Sequence, residues 1–406
     1  MRTPHVLLYF DVNKVCRRFR CFLLHSTDTT VIMHDPVQGK TLPHIVNDLL
    51  TERSFGYLDS KSNWIWDGEK ALCENRERRD GYISYGSYLR DTFPLSDDVE
   101  VAKKNKYMRK ILRQHFTFEG NPGEGLATEY HTLLQHLRLP DTAASDAQLE
   151  AVGLHKSPFF FIVPAFFKLL QYLQQHDVSF NLIFRTFGDD LHRVAQEFNC
   201  FCEGNHPFFR LSKPMDGSDG SVDRRMHLDR ITNGVVPRFG TFLRTKDMTA
   251  LVMGTFKQPK AVDDGDPLTS YASQTESVHI VQELPEIHDF LARRWRASQA
   301  TLALRDFYPY WFINREDATA GKLLTIDSTD AADNVHAMFF DDNILPHDAH
   351  IVDTRLVRNN CTVTFEETCE LHLMRVEPLD VIQCHAYFIN RFETSLQQWR
   401  EMVRRD

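Results

Sequence analysis

Four places in the sequence put polar or charged side chains where chemistry could be done. Asp11 closes the apolar run of LYFDVN. A carboxylate there can act as a nucleophile and as a metal ligand. Thr186 closes LIFRTFG, where a hydroxyl and nearby backbone amides can hold a phosphate oxygen. Lys322 follows a glycine in TAGKLLTID and could neutralise an anionic cluster. Asp341 and Asp342 follow four apolar or aromatic residues in HAMFFDDNI. Taken singly, the first three also read as a loop cap, a turn threonine and a solvated lysine. The adjacent carboxylates differ, because burying two of them is costly unless they are paired or metal-bound. Hard oxygen donors of this kind suit Mg²⁺.

These residues need elements to position them. His5–Phe10 is an apolar run of strand length ending at Asp11. Helical apolar spacing predicts a helix over Pro164–His176. A buried strand Phe180–Phe184 follows, then a Gly-marked turn and a helix over Asp189–Phe198, which together form an α/β unit. Arg238–Arg244 and Thr249–Phe256 alternate and predict a β-hairpin. Lys257–Ser277 reads as a surface loop, and Pro285–Leu304 as a helix. Two further apolar runs, Ala337–Phe340 and His350–Val352, end in aspartates. Residues 41–156 read as mainly helical, with helix-like spacing in Leu42–Leu50, in 100–116 and more weakly in Glu129–Leu137. The expectation is an α/β fold with a parallel central sheet, whose strands carry polar residues at their carboxyl ends. Open parallel sheets bind ligands there.

Taken together, an Asp after the first strand, a Thr after the second, a Lys, and a double Asp 19 positions later form an ordered set. This order resembles the haloacid dehalogenase superfamily. The resemblance covers 1–13 and roughly 157–357. The runs FDVNK, TVIMHDPVQGKT, FRTFG and FFDDNI look like a eukaryotic group of that kind. It implies a Rossmannoid core with an inserted helical cap, divided as 1–40 (first strand and flap), 41–156 (cap) and 157–406 (rest of the core with a C-terminal extension). It also implies a Mg²⁺-dependent hydrolase of a small phosphorylated metabolite. Asp11 would be the nucleophile, and Asp11, the carbonyl of Asn13, Asp341 and Asp342 would hold Mg²⁺. Thr186 would bind the phosphoryl group and Lys322 would orient Asp11.

The sequence departs from that pattern at Asn13, where phosphatases of the superfamily usually carry an acid–base aspartate. Loss of a general acid–base typically costs about 10²–10⁴-fold. A slow phosphatase, a hydrolase using another acid such as His206, and a protein that binds phosphorylated ligands or partners without turnover all remain open. A second departure is the Arg- and Cys-rich stretch Val15–Thr30, which has no helical or strand period. Removing it, or removing it up to Thr29, restores a motif-like run. It reads as a retained intron or gene-model error, with a genuine surface loop as the alternative.

The composition agrees with a folded α/β chain. It has 406 residues, 42% hydrophobic and 25% charged, with a net charge of −9 that gives no footprint for duplex nucleic acid. No segment is long and apolar enough for a membrane span, and the N-terminus lacks the form of a secretory signal. Eight cysteines without a C-x-x-C pair suit reduced thiols in a cytoplasmic protein. Other motifs fail on spacing. Gln38–Thr41 lacks the first glycine of a P-loop, Cys200, Cys202 and His206 fit no zinc pattern, and Asp216–Asp223 lacks the EF-hand geometry.

Overall fold

The computed structural model describes residues 3–12, 30–33, 40–71, 80–141, 144–229, 236–259, 267–272, 278–294, 296, 300–327 and 329–405. Its strands, in chain order, are β1 (His5–Asp11), β2 (Phe55–Leu58), β3 (Trp64–Trp66), β4 (Ile83–Ser84), β5 (Phe180–Thr186), β6 (Phe239–Arg244) and β7 (Thr249–Met253). They continue with β8 (His279–Gln282), β9 (Thr301–Asp306), β10 (Lys322–Ile326), β11 (Val335–Asp341), β12 (Val352–Leu356) and β13 (Leu373–Arg375).

Eight strands form the central sheet in the order β13-β11-β1-β5-β9-β6-β7-β8. Pairing is parallel from β13 across to β6. It is antiparallel for β6–β7, from Gly240↔Met253 to Arg244↔Thr249, and for β7–β8. All seven residues of β1 are buried, as expected of a strand covered on both faces. Successive side chains leave a strand on opposite sides. Val6, Leu8 and Phe10 accordingly join one buried cluster, and Leu7 and Tyr9 join another. Phe10 stacks on Phe340 (centroids 4.6 Å apart) and meets Phe166 edge-on at 5.1 Å, while Tyr9 stacks on Phe339 at 5.5 Å.

The helix Pro164–Gln175 fits its predicted span, with proline in its first turn. The helix after β5 runs Leu191–Cys202, further than the Asp189–Phe198 spacing implied. Within 41–156 the helices are Leu42–Arg53, Tyr85–Thr92, Val99–Gln114, Ala127–Leu137 and Asp146–Ala151. Asp98 caps the third of these, its Oδ1 accepting from the amides of Glu100 (2.8 Å) and Val101 (3.1 Å). A small sheet, β3-β2-β4, lies among them. Ile45, Phe116 and Leu133 of this segment belong to the same buried cluster as Phe10.

Two expectations need correction. Within the predicted helix Pro285–Leu304, the described residues are α-helical through His288 in the helix Leu284–His288, form a π-helical turn over Asp289–Arg294 and are helical again at Arg296. Thr301–Leu304 lies in β9, between β5 and β6. A run of three or four apolar residues does not distinguish a buried strand from a buried helix segment, and here pairing on both edges decides. Likewise the His350–Val352 run does not end a core strand at Asp353. β12 starts at Val352, passes through Asp353 and pairs in parallel with β10 in a separate two-stranded sheet. The loop expected over Lys257–Ser277 includes a short helix, Thr269–Ala272. Among the described residues, no helix is long and apolar enough to cross a membrane.

Candidate functional site

The carboxyl ends of β11, β1 and β5 lie side by side and carry Asp341, Asp11 and Thr186. The register Phe10↔Phe340 and Asp11↔Arg185 brings these three ends level. Asp11, Asp341 and Asp342 each present a carboxylate oxygen within 4.8 Å of the others. This is the only such group of three or more His, Cys, Asp or Glu residues among the described residues.

Lys322 reaches the cluster from outside the central sheet. It opens β10, and its Nζ donates to Asp11 Oδ1 and, at 2.7 Å, to Asp341 Oδ2. Both the ammonium and the Asp11 and Asp341 side chains are fully buried. Close backbone packing sets the lysine's position. A Cβ on Gly321 would lie 2.2 Å from the Ile351 carbonyl oxygen, so glycine is required where the chain enters β10. Arg244 then holds this entry, donating to the Gly321 carbonyl at 2.5 Å and to Asp353 at 2.6 Å.

The acidic pair is held by two polar neighbours. Asn343 donates its amide (2.9 Å) and its Nδ2 (3.2 Å) to Asp341 Oδ1. Thr30 donates its hydroxyl to Asp342 Oδ1 at 2.7 Å and accepts the Asp342 amide at 3.0 Å. The same hydroxyl lies 3.5 Å from Asp11 Oδ2. Thr186 accepts the Gly188 amide at 2.8 Å, which fixes the turn leaving β5. Asn13 lies outside the described residues, as do 15–29 of the unusual stretch.

Three carboxylate groups and the Lys322 ammonium share this site, with Asp11 and Asp341 buried and Asp342 partly so. Burial pushes the Asp11 carboxyl well above its usual range; Lys322 pulls it down, and Asp341 and Asp342 push it further up. Burial would lower the Lys322 ammonium, but Asp11, Asp341 and Asp306 outweigh it and hold it above its ordinary value. Three carboxylates with oxygens within 4.8 Å of one another form the kind of hard-oxygen donor set that fits a divalent cation.

Sequence reasoning missed Thr30, Arg185 and Asn343. Asn343 directly follows the acidic pair. Arg185 is a guanidinium inside an apolar strand, which is itself a signal because an isolated buried charge is costly. It pairs with Asp306 and donates to the Leu323 carbonyl at 3.0 Å, tying β5 to β10 just past Lys322. Thr30 gave no local signal. Its position bears on where the unusual stretch ends, because only the boundary after Thr29 leaves it in place. Thr30→Val is expected to destabilise the protein by about 1–3 kcal/mol, since the hydroxyl's two hydrogen bonds with Asp342 are lost. An unchanged urea midpoint would count against the clamp.

The other candidates are accounted for structurally. Cys200 and Cys202 are buried in their helix, and burial pushes the Cys200 thiol up to about 11 and the Cys202 thiol well up. His206 sits 3.5 Å from Glu197, its Nδ1 accepts from the Phe208 amide at 3.2 Å, and its ring lies 4.9 Å from that of Phe167. Lys40, from the P-loop-like run, pairs with Asp48. Asp216 and Asp223 are used within their own loop, by Ser218 and by Arg225 and His227. No protein-family model, no curated protein and no solved structure matches this chain.

Proposed function

We propose that this chain is a Mg²⁺-dependent hydrolase of haloacid dehalogenase type, acting on a small phosphorylated metabolite. The observation that carries this reading is the lysine-bridged carboxylate cluster. Asp11 and Asp341, at the ends of adjacent parallel strands, share Lys322, and Asp342 lies within the same 4.8 Å group. Asp11 would attack phosphorus, forming a new oxygen–phosphorus bond as the bond to the leaving oxygen breaks. Water would then release phosphate from the aspartyl-phosphate. An anion attacks an anion only where nearby positive charge offsets the repulsion. Lys322 supplies one such charge and fixes the Asp11 carboxylate. Mg²⁺ held by Asp11, Asp341 and Asp342, with the Asn13 carbonyl, would supply the rest. Thr186 and the amides of the turn that follows it would hold the phosphoryl oxygens.

Asn13 favours a second reading, because an amide cannot give a proton to the leaving group or take one from water. On that reading the protein binds a phosphorylated ligand or a protein partner and does not turn over. A panel of small phosphate monoesters, assayed with Mg²⁺, separates the two. Turnover in the wild type that Asp11→Asn abolishes supports the hydrolase. A silent wild type, with activity appearing in Asn13→Asp, supports the binder. The gain expected from restoring a general acid–base is about 10²–10⁴-fold. Turnover untouched by Asp11→Asn removes Asp11 from the reaction and overturns both assignments.

A further inference from the structure

A second concave site lies where the segment 127–141 meets the helix Pro164–Gln175, the loop at 208–209 and the residues before the last helix. Its volume is about 710 Å³, within the range that holds a small organic ligand. None of the residues lining it belongs to the carboxylate cluster.

Its walls are cationic. Arg138 and Lys168 line it together with His136 and His385, against a single acidic residue, Asp141. The two imidazoles stand edge to face with centroids 6.3 Å apart. Among the described residues, no ion pair engages Arg138 or Lys168, although both are exposed. Burial, His136 and Lys168 together hold the His385 imidazole below its usual value, in that order of weight. An anion entering the site would meet the Arg138 and Lys168 charges directly.

Its floor is aromatic. Phe208 is partly exposed and meets Phe160 edge-on at 5.5 Å. Phe209 stacks on Phe167 at 4.7 Å, and the Lys168 ammonium stands 6.0 Å from the Phe209 ring centre. The phenylalanines are thus fixed by their neighbours and offer a preorganised apolar surface beside the cations. Planar bases stack on aromatic side chains, and guanidinium and ammonium groups bind phosphate oxygens.

We infer that this seam binds a nucleoside phosphate, its phosphates on Arg138 and Lys168 and its base against Phe208. The inference stands apart from the carboxylate site and survives its failure.

Calorimetric titration of the full-length protein tests it, in EDTA so that no divalent cation takes part. The probes are ADP, pyrophosphate and adenosine. ADP is expected to bind, pyrophosphate about tenfold or more weakly, and adenosine not measurably, because stacking adds roughly 1–3 kcal/mol to the phosphate contacts. The double variant R138A/K168A, with both side chains on the surface, should fold normally and lose ADP binding tenfold or more. Phe208→Ala should weaken ADP but leave pyrophosphate unchanged. ADP binding that R138A/K168A does not alter, or no binding of ADP at all, overturns the site. Pyrophosphate binding as tightly as ADP overturns the nucleoside assignment.

Discussion

Replacing Lys322 with methionine is expected to destabilise the metal-free protein by about 3–5 kcal/mol, the usual penalty for removing one partner of a buried ion pair. The lysine is fully buried, and its Nζ is the hydrogen-bond donor shared by Asp11 and Asp341. Without it, the three carboxylates within 4.8 Å lose the cation that bridges two of them. Methionine fills a similar volume, so the loss reports charge rather than a cavity. The site has one escape, which is to bind a proton. A carboxyl whose folded pKa lies above its unfolded value, as at Asp11, is stabilised at low pH and loses that stability as pH rises. The penalty should therefore be larger at pH 8 than at pH 5. Urea denaturation in EDTA measures it, and the double variant Lys322→Met with Asp11→Asn should recover part of the loss. A single variant as stable as the wild type at both pH values would show that the lysine does not balance the cluster.

Arg185→Met is expected to cost a similar amount, about 3–5 kcal/mol. The guanidinium is fully buried in β5 and binds Asp306 at 2.9 Å and 2.5 Å, a bidentate arrangement. Its third contact is the Leu323 carbonyl, and its Cζ lies 4.5 Å from the centre of the Phe242 ring. Removing it strands the Asp306 carboxylate, which is itself buried. Replacing both partners, as Arg185→Met with Asp306→Leu, should restore most of the stability, because a buried pair exchanged for apolar groups is often neutral. If the double variant is less stable than the single, the pair is not the source of the loss.

The parts of the fold and site that were legible share one property: their signal is local. Asp11 and the Asp341–Asp342 pair directly follow an apolar run long enough to be a strand buried on both faces, and Thr186 follows one with only Arg185 between. Lys322 was different. Nothing in TAGKLLTID marks it, and it stood out only through the order of the other three motifs. Thr30 was invisible because its partner, Asp342, lies 312 positions away and its own surroundings have no period. Arg185 was visible as a charge in an apolar strand, but its partner is 121 positions on. β9 was absorbed into a predicted helix because Thr301–Leu304 is short and wholly apolar apart from its threonine. The β3-β2-β4 sheet went unread because its strands hold only four, three and two residues.

The separation of β10 and β12 from the central sheet has a consequence for how the molecule assembles. The eight-stranded sheet places the Asp11 and Asp341 carboxylates side by side at the carboxyl ends of adjacent inner strands. The cancelling ammonium rides on a different sheet, and it arrives only when that sheet docks through contacts such as Arg185 with Leu323. Lys322 can bridge Asp11 and Asp341 only where the two sheets are docked, so losing the docking and losing the bridge are one event. The amides of β10 and β1 should exchange with solvent in a single cooperative unit, although among the described residues the two sheets share no strand pairing.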